Sequence, residues 1–248
     1  GYYKLEKPEK EGITTVFENA FAISSENFAK SVKLRNLAVG KKIVATNDNN
    51  SKKEIKITQG KPQKEFNIDN LRSNIVTIRI GQGHGSGFFV GNNGYLLTNA
   101  HVVGDSKSVQ IITSSGMEIE GQVIRKSKSR DVSLIKVPLK ITNSLNLKFE
   151  IPDIASDVYA AGTPIDEALK TTVTKGIISN IRVDNASGLK FIQADASISP
   201  GNSGGPLFDK FGNVIGISVA KYNSNSAEGL GLFIPLQDAF SSIKLSIE

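Results

Sequence analysis

Ser203 stands between Asn202 and a Gly-Gly-Pro in the stretch DASISPGNSGGPLF (195–208). Pro, Gly, Asn and Ser are ordinary turn residues, so a surface turn is one reading. The other is a nucleophile set in a turn whose backbone N–H groups face an oxyanion. A serine nucleophile needs a neutral imidazole to take its proton and return it to the leaving group. The chain has two histidines, His84 and His101. His101 lies in LLTNAHVV, where an apolar strand ends and the chain turns; a structural histidine is the competing reading. Asp131 directly precedes VSLIKV. A carboxylate at the entry to a buried strand is costly unless paired, and it suits the task of orienting an imidazole. A turn or edge cap competes with that role. The backbone N–H groups of Gly201 and Ser203 are the candidate oxyanion donors, each worth about 3 kcal/mol where charge develops. Gly204 and Gly205 permit close approach, and Pro206 leads into an apolar strand.

These residues need a scaffold, and the texture from Asn74 onward supplies one. Short strand-like runs include NIVTIRI, GSGFFVG, GYLLTNAHVV, VQIIT, EIEGQVIRK and VSLIKV. A second set comprises DVYAAG, TTVTKGIISNI, KFIQAD, GPLFD, NVIGISVAKY and LGLFIP. Gly, Asn, Asp and Ser turns separate them, the pattern of an all-β sandwich or barrel architecture. Two sets of similar length, parted near residues 139–156, predict two small barrels side by side. The segment LQDAFSSIKLSI (236–247) reads as a closing helix.

Residues 1–72 differ. Apolar residues between Thr14 and Leu37 recur at one-turn spacings, which predicts one or two amphipathic helices. KKIVAT and EIKITQG read as short strands, and GKPQKEFNIDN as linker. No chemical motif occurs there. The expected organisation is an N-terminal extension, or the remnant of an upstream domain, over 1–72, followed by a domain over 73–248. Within that domain the first barrel spans about 73–138, the second about 156–235, and a helix 236–247.

Composition excludes several kinds of chemistry. There are no cysteines, so disulfides, thiolate nucleophiles and cysteine-ligated zinc are ruled out. The net charge of +6 is spread over short clusters such as RKSKSR (125–130), which read as solvated surface and not as a nucleic-acid site. No apolar run is long enough to cross a bilayer. The opening GYYKLEKPEK lacks an apolar signal core, so a targeting peptide is not expected within these residues. His84, in GQGHGSG, reads as a loop residue near the approach to the active site. No metal or cofactor is expected.

TNAHVV, DVSLIKV and QADASISPGNSGGPLFDKFGNVIGI resemble the three triad blocks of the HtrA/Deg family of chymotrypsin-like serine proteases. The blocks occur in the order His, Asp, Ser. GSGFFVGNNGYLLTNAHVV resembles the opening of that protease domain, TTVTKGIISNI the first strands of its second barrel, and GLGLFIP its end. The likeness runs over about 74–240. It implies an all-β, chymotrypsin-like double β-barrel, to which the runs read in residues 1–72 add a small mixed helical and strand extension at the N-terminus. It also implies a serine endopeptidase with His101 as base, Asp131 as orienting acid, Ser203 as nucleophile, and an oxyanion hole from Gly201 and Ser203. Ser218, Val219 and Ala220 match the strand that pairs with an extended substrate. Ser197 stands where trypsin-like enzymes that select Lys or Arg carry an acid. With Ile198 and Val219 as wall residues, a small or medium apolar P1 side chain is expected.

Two positions depart from the pattern: Ser199 where the family usually has Asn, and Pro206 after the glycine pair. The resemblance further implies extended or unfolded polypeptide substrates, a bacterial extracytoplasmic location and a possible trimer through Phe17, Phe21 and Phe28. PDZ domains common in the family have no room before Glu248. The alternative is an inactive or latent protease-fold protein serving as a binding or chaperone module. An esterase or a polyprotein processor on the same barrels is a further reading.

Overall fold

The computed structural model describes residues 53–61, 66–81, 83–163, 171–185, 187–199, 201–221 and 230–248. The expected helices of Thr14–Leu37, the KKIVAT strand and Phe17, Phe21 and Phe28 lie outside those residues.

The first six-stranded barrel is built from β2 (Ile75–Ile80), β3 (Gly83–Val90), β4 (Tyr95–Thr98), β5 (Ser108–Ile112), β6 (Glu118–Ser127) and β7 (Val132–Lys136). It closes in the order β2-β3-β4-β7-β6-β5. The second comprises β8 (Asp157–Gly162), β9 (Thr172–Val183), β10 (Lys190–Ala194), β11 (Pro206–Asp209), β12 (Val214–Lys221) and β13 (Gly231–Pro235). Its closed order is β10-β13-β12-β11-β8-β9. All pairings within both barrels are antiparallel. Closure gives every strand a neighbour on each side, which leaves little exposed sheet edge within the barrels, although β12 runs past the end of β11 and keeps β13 alone beside Ala220 and Lys221. Each barrel has its own apolar filling: Val76, Ile78, Phe89, Leu96, Ile111 and Ile135 in the first, and Val158, Ile178, Ile192, Leu207, Ile215 and Phe233 in the second.

Both barrels belong to one compact unit, Asn49–Val183 with Lys190–Glu248. The loop Asp184–Leu189 groups with a separate unit. It is closed by its own bonds, the Gly188 N–H donating to the Asp184 carbonyl at 2.7 Å and the Ser187 N–H to the Asp184 carboxylate at 3.1 Å. Among the described residues, no helix is long and apolar enough to cross a membrane.

Three local differences from the sequence reading have physical causes. Part of the supposed linker is the helix α1 (Ile68–Ser73), started by Asn67, whose side chain accepts the Asn70 N–H at 3.0 Å. After β4 the chain enters a single helical turn, α2 (Ala100–Val103), where a continuing strand had been expected. The closing helix, α3, covers only Leu236–Ser242. Lys244 then adopts φ +54°, and Leu245–Ile247 forms β14, paired in parallel with β1 (Ile55–Ile57). Strand pairing 190 residues apart overrides the helical spacing there, and buries Ile57 and Leu245.

Candidate active site

Asp131 and His101 meet through two contacts. The Asp131 Oδ1 accepts the backbone N–H of His101 at 2.8 Å, and its Oδ2 lies 2.7 Å from His101 Nδ1. An ionised carboxylate only accepts, so Nδ1 is the donating nitrogen, and in the neutral imidazole this places the lone pair on Nε2. Each contact depends on an element boundary. His101 occupies the single turn of α2, immediately after β4 has delivered the chain to the barrel rim. Asp131 stands at the start of β7 with φ +59°, a left-handed conformation unusual for a residue with a Cβ. The Asn99 side-chain amide donates to the Asp131 carbonyl at 3.0 Å and braces that turn.

The residue before Asp131 is an anchor that sequence reasoning left among solvated surface charges. Arg130 is only 4% exposed. Its Nη2 lies 3.1 Å from Asp238 Oδ2 on α3 and also donates to the Lys190 carbonyl, while the guanidinium carbon sits 4.6 Å from the centre of the Phe191 ring. The β6–β7 turn of the first barrel is therefore tied to β10 and α3. Burial pushes the Arg130 guanidinium below its usual range, and the facing Asp238 carboxylate opposes that shift. The signal was an arginine at a strand entrance, but its partner lies 108 residues away.

Ser203 comes to the same rim. A Cβ on Gly204 would fall 3.1 Å from the Asn99 backbone nitrogen, two residues before His101. A Cβ on Gly85 would lie 2.7 Å from a methyl of Val102 and 3.2 Å from the Ser203 carbonyl oxygen. The Ser203 loop and the turn that carries His101 thus meet at Gly85, and Gly204 of that loop packs against Asn99. The Ser203 hydroxyl donates to the Val219 carbonyl at 3.2 Å. Gly201 has φ +97°, and the Asn202 N–H between the two candidate donors is used in a turn to the Ser199 carbonyl at 3.0 Å. Among the described residues, the N–H groups of Gly201 and Ser203 have no acceptor.

The other residues singled out from sequence fall in different surroundings. Ser197 offers its carbonyl to the Thr174 hydroxyl at 2.8 Å. Ile198 is 8% exposed and packs in the second barrel, 2.4 Å from where a Cβ on Gly231 would sit. Val219 is also 8% exposed and lies at a β-bulge of β12 against β13. The main chain of Ser218 is already engaged, its carbonyl by the Gly204 N–H at 2.9 Å and its N–H by the Gly205 carbonyl at 2.8 Å. Ala220 belongs to β12 and pairs with Leu232. His84 is not in a loop, as had been expected, but in β3 opposite Arg79. Its neighbouring glycine serves the close approach of Val102, which explains why a strand there resembles a flexible loop.

Comparison with known proteins follows the same lines. The family model described as the trypsin-like peptidase domain matches residues 85–217. A probable periplasmic serine endoprotease, DegP-like, of Pseudomonas fulva is 38% identical over 170 residues, covering 65% of this chain and 34% of that protein. The putative serine protease HhoB of Synechocystis is 38% identical over 165 residues, covering 64% of this chain and 39% of that one. Among solved structures, the HtrA-type protease AlgW with tripeptide superposes with a TM-score of 0.64 at 29% identity, covering 70% of this chain and 60% of that one. The chain spans little more than a third of the length of the curated relatives it matches.

Proposed function

Because this chain belongs to the trypsin-like peptidase domain family and is an HtrA/DegP-type protease domain, we propose that it is a serine endopeptidase acting through an acyl-enzyme. The observation that carries the reading is the doubly bonded His101–Asp131 pair at the rim that also holds the Ser203 loop. Ser203 Oγ attacks the scissile carbonyl carbon while His101 Nε2 takes the hydroxyl proton. Asp131 holds the Nδ1–H and stabilises the imidazolium. The oxyanion is received by the N–H groups of Gly201 and Ser203. The amine leaves with the proton from His101, and a water deprotonated by the same nitrogen releases the acyl group.

Ser197 in place of an acid favours an apolar P1 side chain over a basic one. Ile198 supports that wall from the barrel interior. The substrates are unfolded or extended polypeptides, and the main chain around Val219 and Ala220 pairs with them as an added strand. The setting is bacterial and extracytoplasmic, in protein quality control or regulated cleavage, as the names of similar proteins suggest. Assembly as a trimer through the Phe-rich N-terminal residues is a separate element of the proposal, tested by light scattering after gel filtration.

A latent or binding-only protein is the second reading, favoured by one observation: the Ser203 hydroxyl donates to Val219 in place of the imidazole. One experiment decides between them. The protein and its Ser203→Ala variant are incubated with unfolded casein and with a fluorophosphonate probe. Cleavage and labelling in the parent, both lost in the variant, are expected; a parent that does neither overturns the endopeptidase reading.

A further inference from the structure

Ser86 has none of its surface exposed, and no motif assigned it a task beyond its place in GSGFFVG. It lies on β3, yet its hydrogen bonds reach into the other barrel and the nucleophile loop. Its backbone N–H donates to the Ser203 carbonyl at 2.8 Å, and its own carbonyl accepts the Thr98 hydroxyl at 2.7 Å. Its side-chain hydroxyl donates to the Gly201 carbonyl at 2.7 Å. The same oxygen accepts the Thr163 backbone N–H at 2.8 Å and lies 3.2 Å from the Thr163 hydroxyl. Thr163 directly follows β8 of the second barrel. A serine oxygen donates once and accepts twice, so this hydroxyl is fully committed, and its orientation is set by Gly201 and Thr163 on the second-barrel side.

The commitment falls on a pliable part of the chain. Gly201, at φ +97°, sits in a region of backbone space where glycine meets little steric resistance, so the peptide plane carrying its N–H can turn about Gly201 unless the plane after it is held; the Asn202 N–H bond to Ser199 holds that second plane in part. Turning the first plane would swing the Gly201 N–H away from the Ser203 N–H. Ser86 fixes the Gly201 carbonyl with its side chain and the Ser203 carbonyl with its backbone, which holds the peptides on both sides of the Ser203 N–H and the peptide that directly follows the Gly201 N–H.

We propose that Ser86 is the positioning residue of the oxyanion hole, acting through Gly201 and Ser203 and not touching the substrate. The inference rests on the endopeptidase reading above. Loss of one oxyanion donor costs about 10²–10³ in kcat, so a donor left free to turn is expected to cost about 100-fold.

The test compares the parent with Ser86→Ala on a peptide taken from a casein site that the parent cleaves. Three quantities are read: kcat and KM, the Ki of the corresponding peptide boronate, and the Ki of the corresponding peptidyl alcohol. The boronate adduct places an oxygen in the oxyanion hole, and the alcohol has no carbonyl to place there. The expected result is a kcat about 100-fold lower, KM within about 3-fold, a boronate Ki raised about in parallel with the fall in kcat, and an unchanged alcohol Ki. Ser86→Thr, which keeps the hydroxyl, is expected to recover most of the lost kcat. A kcat within about 3-fold of the parent overturns the inference, as does a loss shared equally by boronate and alcohol. If Ser86→Ala does not stay folded at the assay temperature, Ser86→Cys makes the same comparison, since it has a similar shape and a weaker donor. A parent that neither cleaves nor labels overturns the endopeptidase reading and this inference with it. A working parent beside an indifferent Ser86 variant overturns this inference alone.

Discussion

Asp131 grips His101 at two points, the backbone N–H at 2.8 Å and the ring Nδ1 at 2.7 Å, one with each carboxylate oxygen. The backbone contact sets the position of the helical turn and the ring contact sets the tautomer, so a single side chain does both. Asp131 achieves this from a left-handed backbone, at φ +59°. Backbone strain of this kind is retained where the surrounding structure over-determines it, commonly at functional sites.

The two contacts separate in mutants. Asp131→Asn keeps an oxygen for the His101 backbone N–H, and asparagine tolerates the left-handed region. Its amide cannot hold the imidazole in the same tautomer, so kcat is expected to fall by about 10⁴ with little change in melting temperature. Asp131→Ala is expected to lose as much activity and also about 1–2 kcal/mol of stability from the strained backbone. Chemical denaturation beside peptide kinetics distinguishes the pair; equal stability of the two variants would contradict the two-point account.

Ser203→Ala removes the proposed nucleophile and the donor to the Val219 carbonyl. The expected loss in kcat is about 10⁶-fold. That donor bond is a long, half-buried contact, so stability is expected to change by less than about 1 kcal/mol. A differential scanning trace overlying that of the parent would check this, and casein cleavage surviving in the variant would show that another nucleophile acts.

Arg130 and Asp238 form an ion pair with one partner almost fully buried. Asp238→Ala leaves the guanidinium without its carboxylate and is expected to cost about 3 kcal/mol. Arg130→Met removes the buried charge as well and is expected to cost less, because an apolar side chain suits the neighbourhood of Phe191. Urea unfolding of the two variants gives the order; if Arg130→Met is the more damaging, packing by the arginine stem outweighs the charge.

The second glycine of the nucleophile loop tests how tightly the barrels meet. Gly204 has φ +84°, and a Cβ there would lie 2.3 Å from both the Ser86 carbonyl oxygen and the Thr98 hydroxyl. Gly116, in the β5–β6 hairpin, has the same φ of +84° with nothing within 4 Å of its would-be Cβ. Gly116→Ala is expected to cost about 1 kcal/mol, the backbone strain alone. Gly204→Ala adds a clash with backbone that has no room to retreat, and a loss of at least about 3 kcal/mol is expected. Similar melting temperatures for the two would mean that the loop relaxes freely.

Much of the candidate site was legible because its signals are local. His101, Asp131 and Ser203 each sit where an apolar strand begins or ends, and the change from a continuous apolar run to polar and glycine residues marked those ends. Within the two barrels the strand runs emerged within a residue or two of their expected bounds, except GYLLTNAHVV, whose strand stops at Thr98. The short helix α1 went unread because its apolar content is small and its start depends on the Asn67 cap. β14 went unread because Phe240, Ile243 and Leu245 also suit a helix face, and only a partner strand at the other end of the described chain decides between the two. Arg130 looked like one more charge in a basic loop, since nothing nearby in sequence reports that Asp238 and Phe191 will close over it.

The sequence by itself determined the types and order of the candidate site residues and a strand pattern able to close into two barrels. Side-chain period and turn chemistry act over a few residues, so they can be read without a fold. The tertiary structure decided which groups those residues hold. It gave Asp131 both His101 contacts across 30 residues, gave Ser86 the Gly201 carbonyl across 115, and turned the Ser203 hydroxyl to Val219. Those partners are chosen when the barrels close and buried polar groups must find one another, because leaving them unpaired away from water costs more than any local preference.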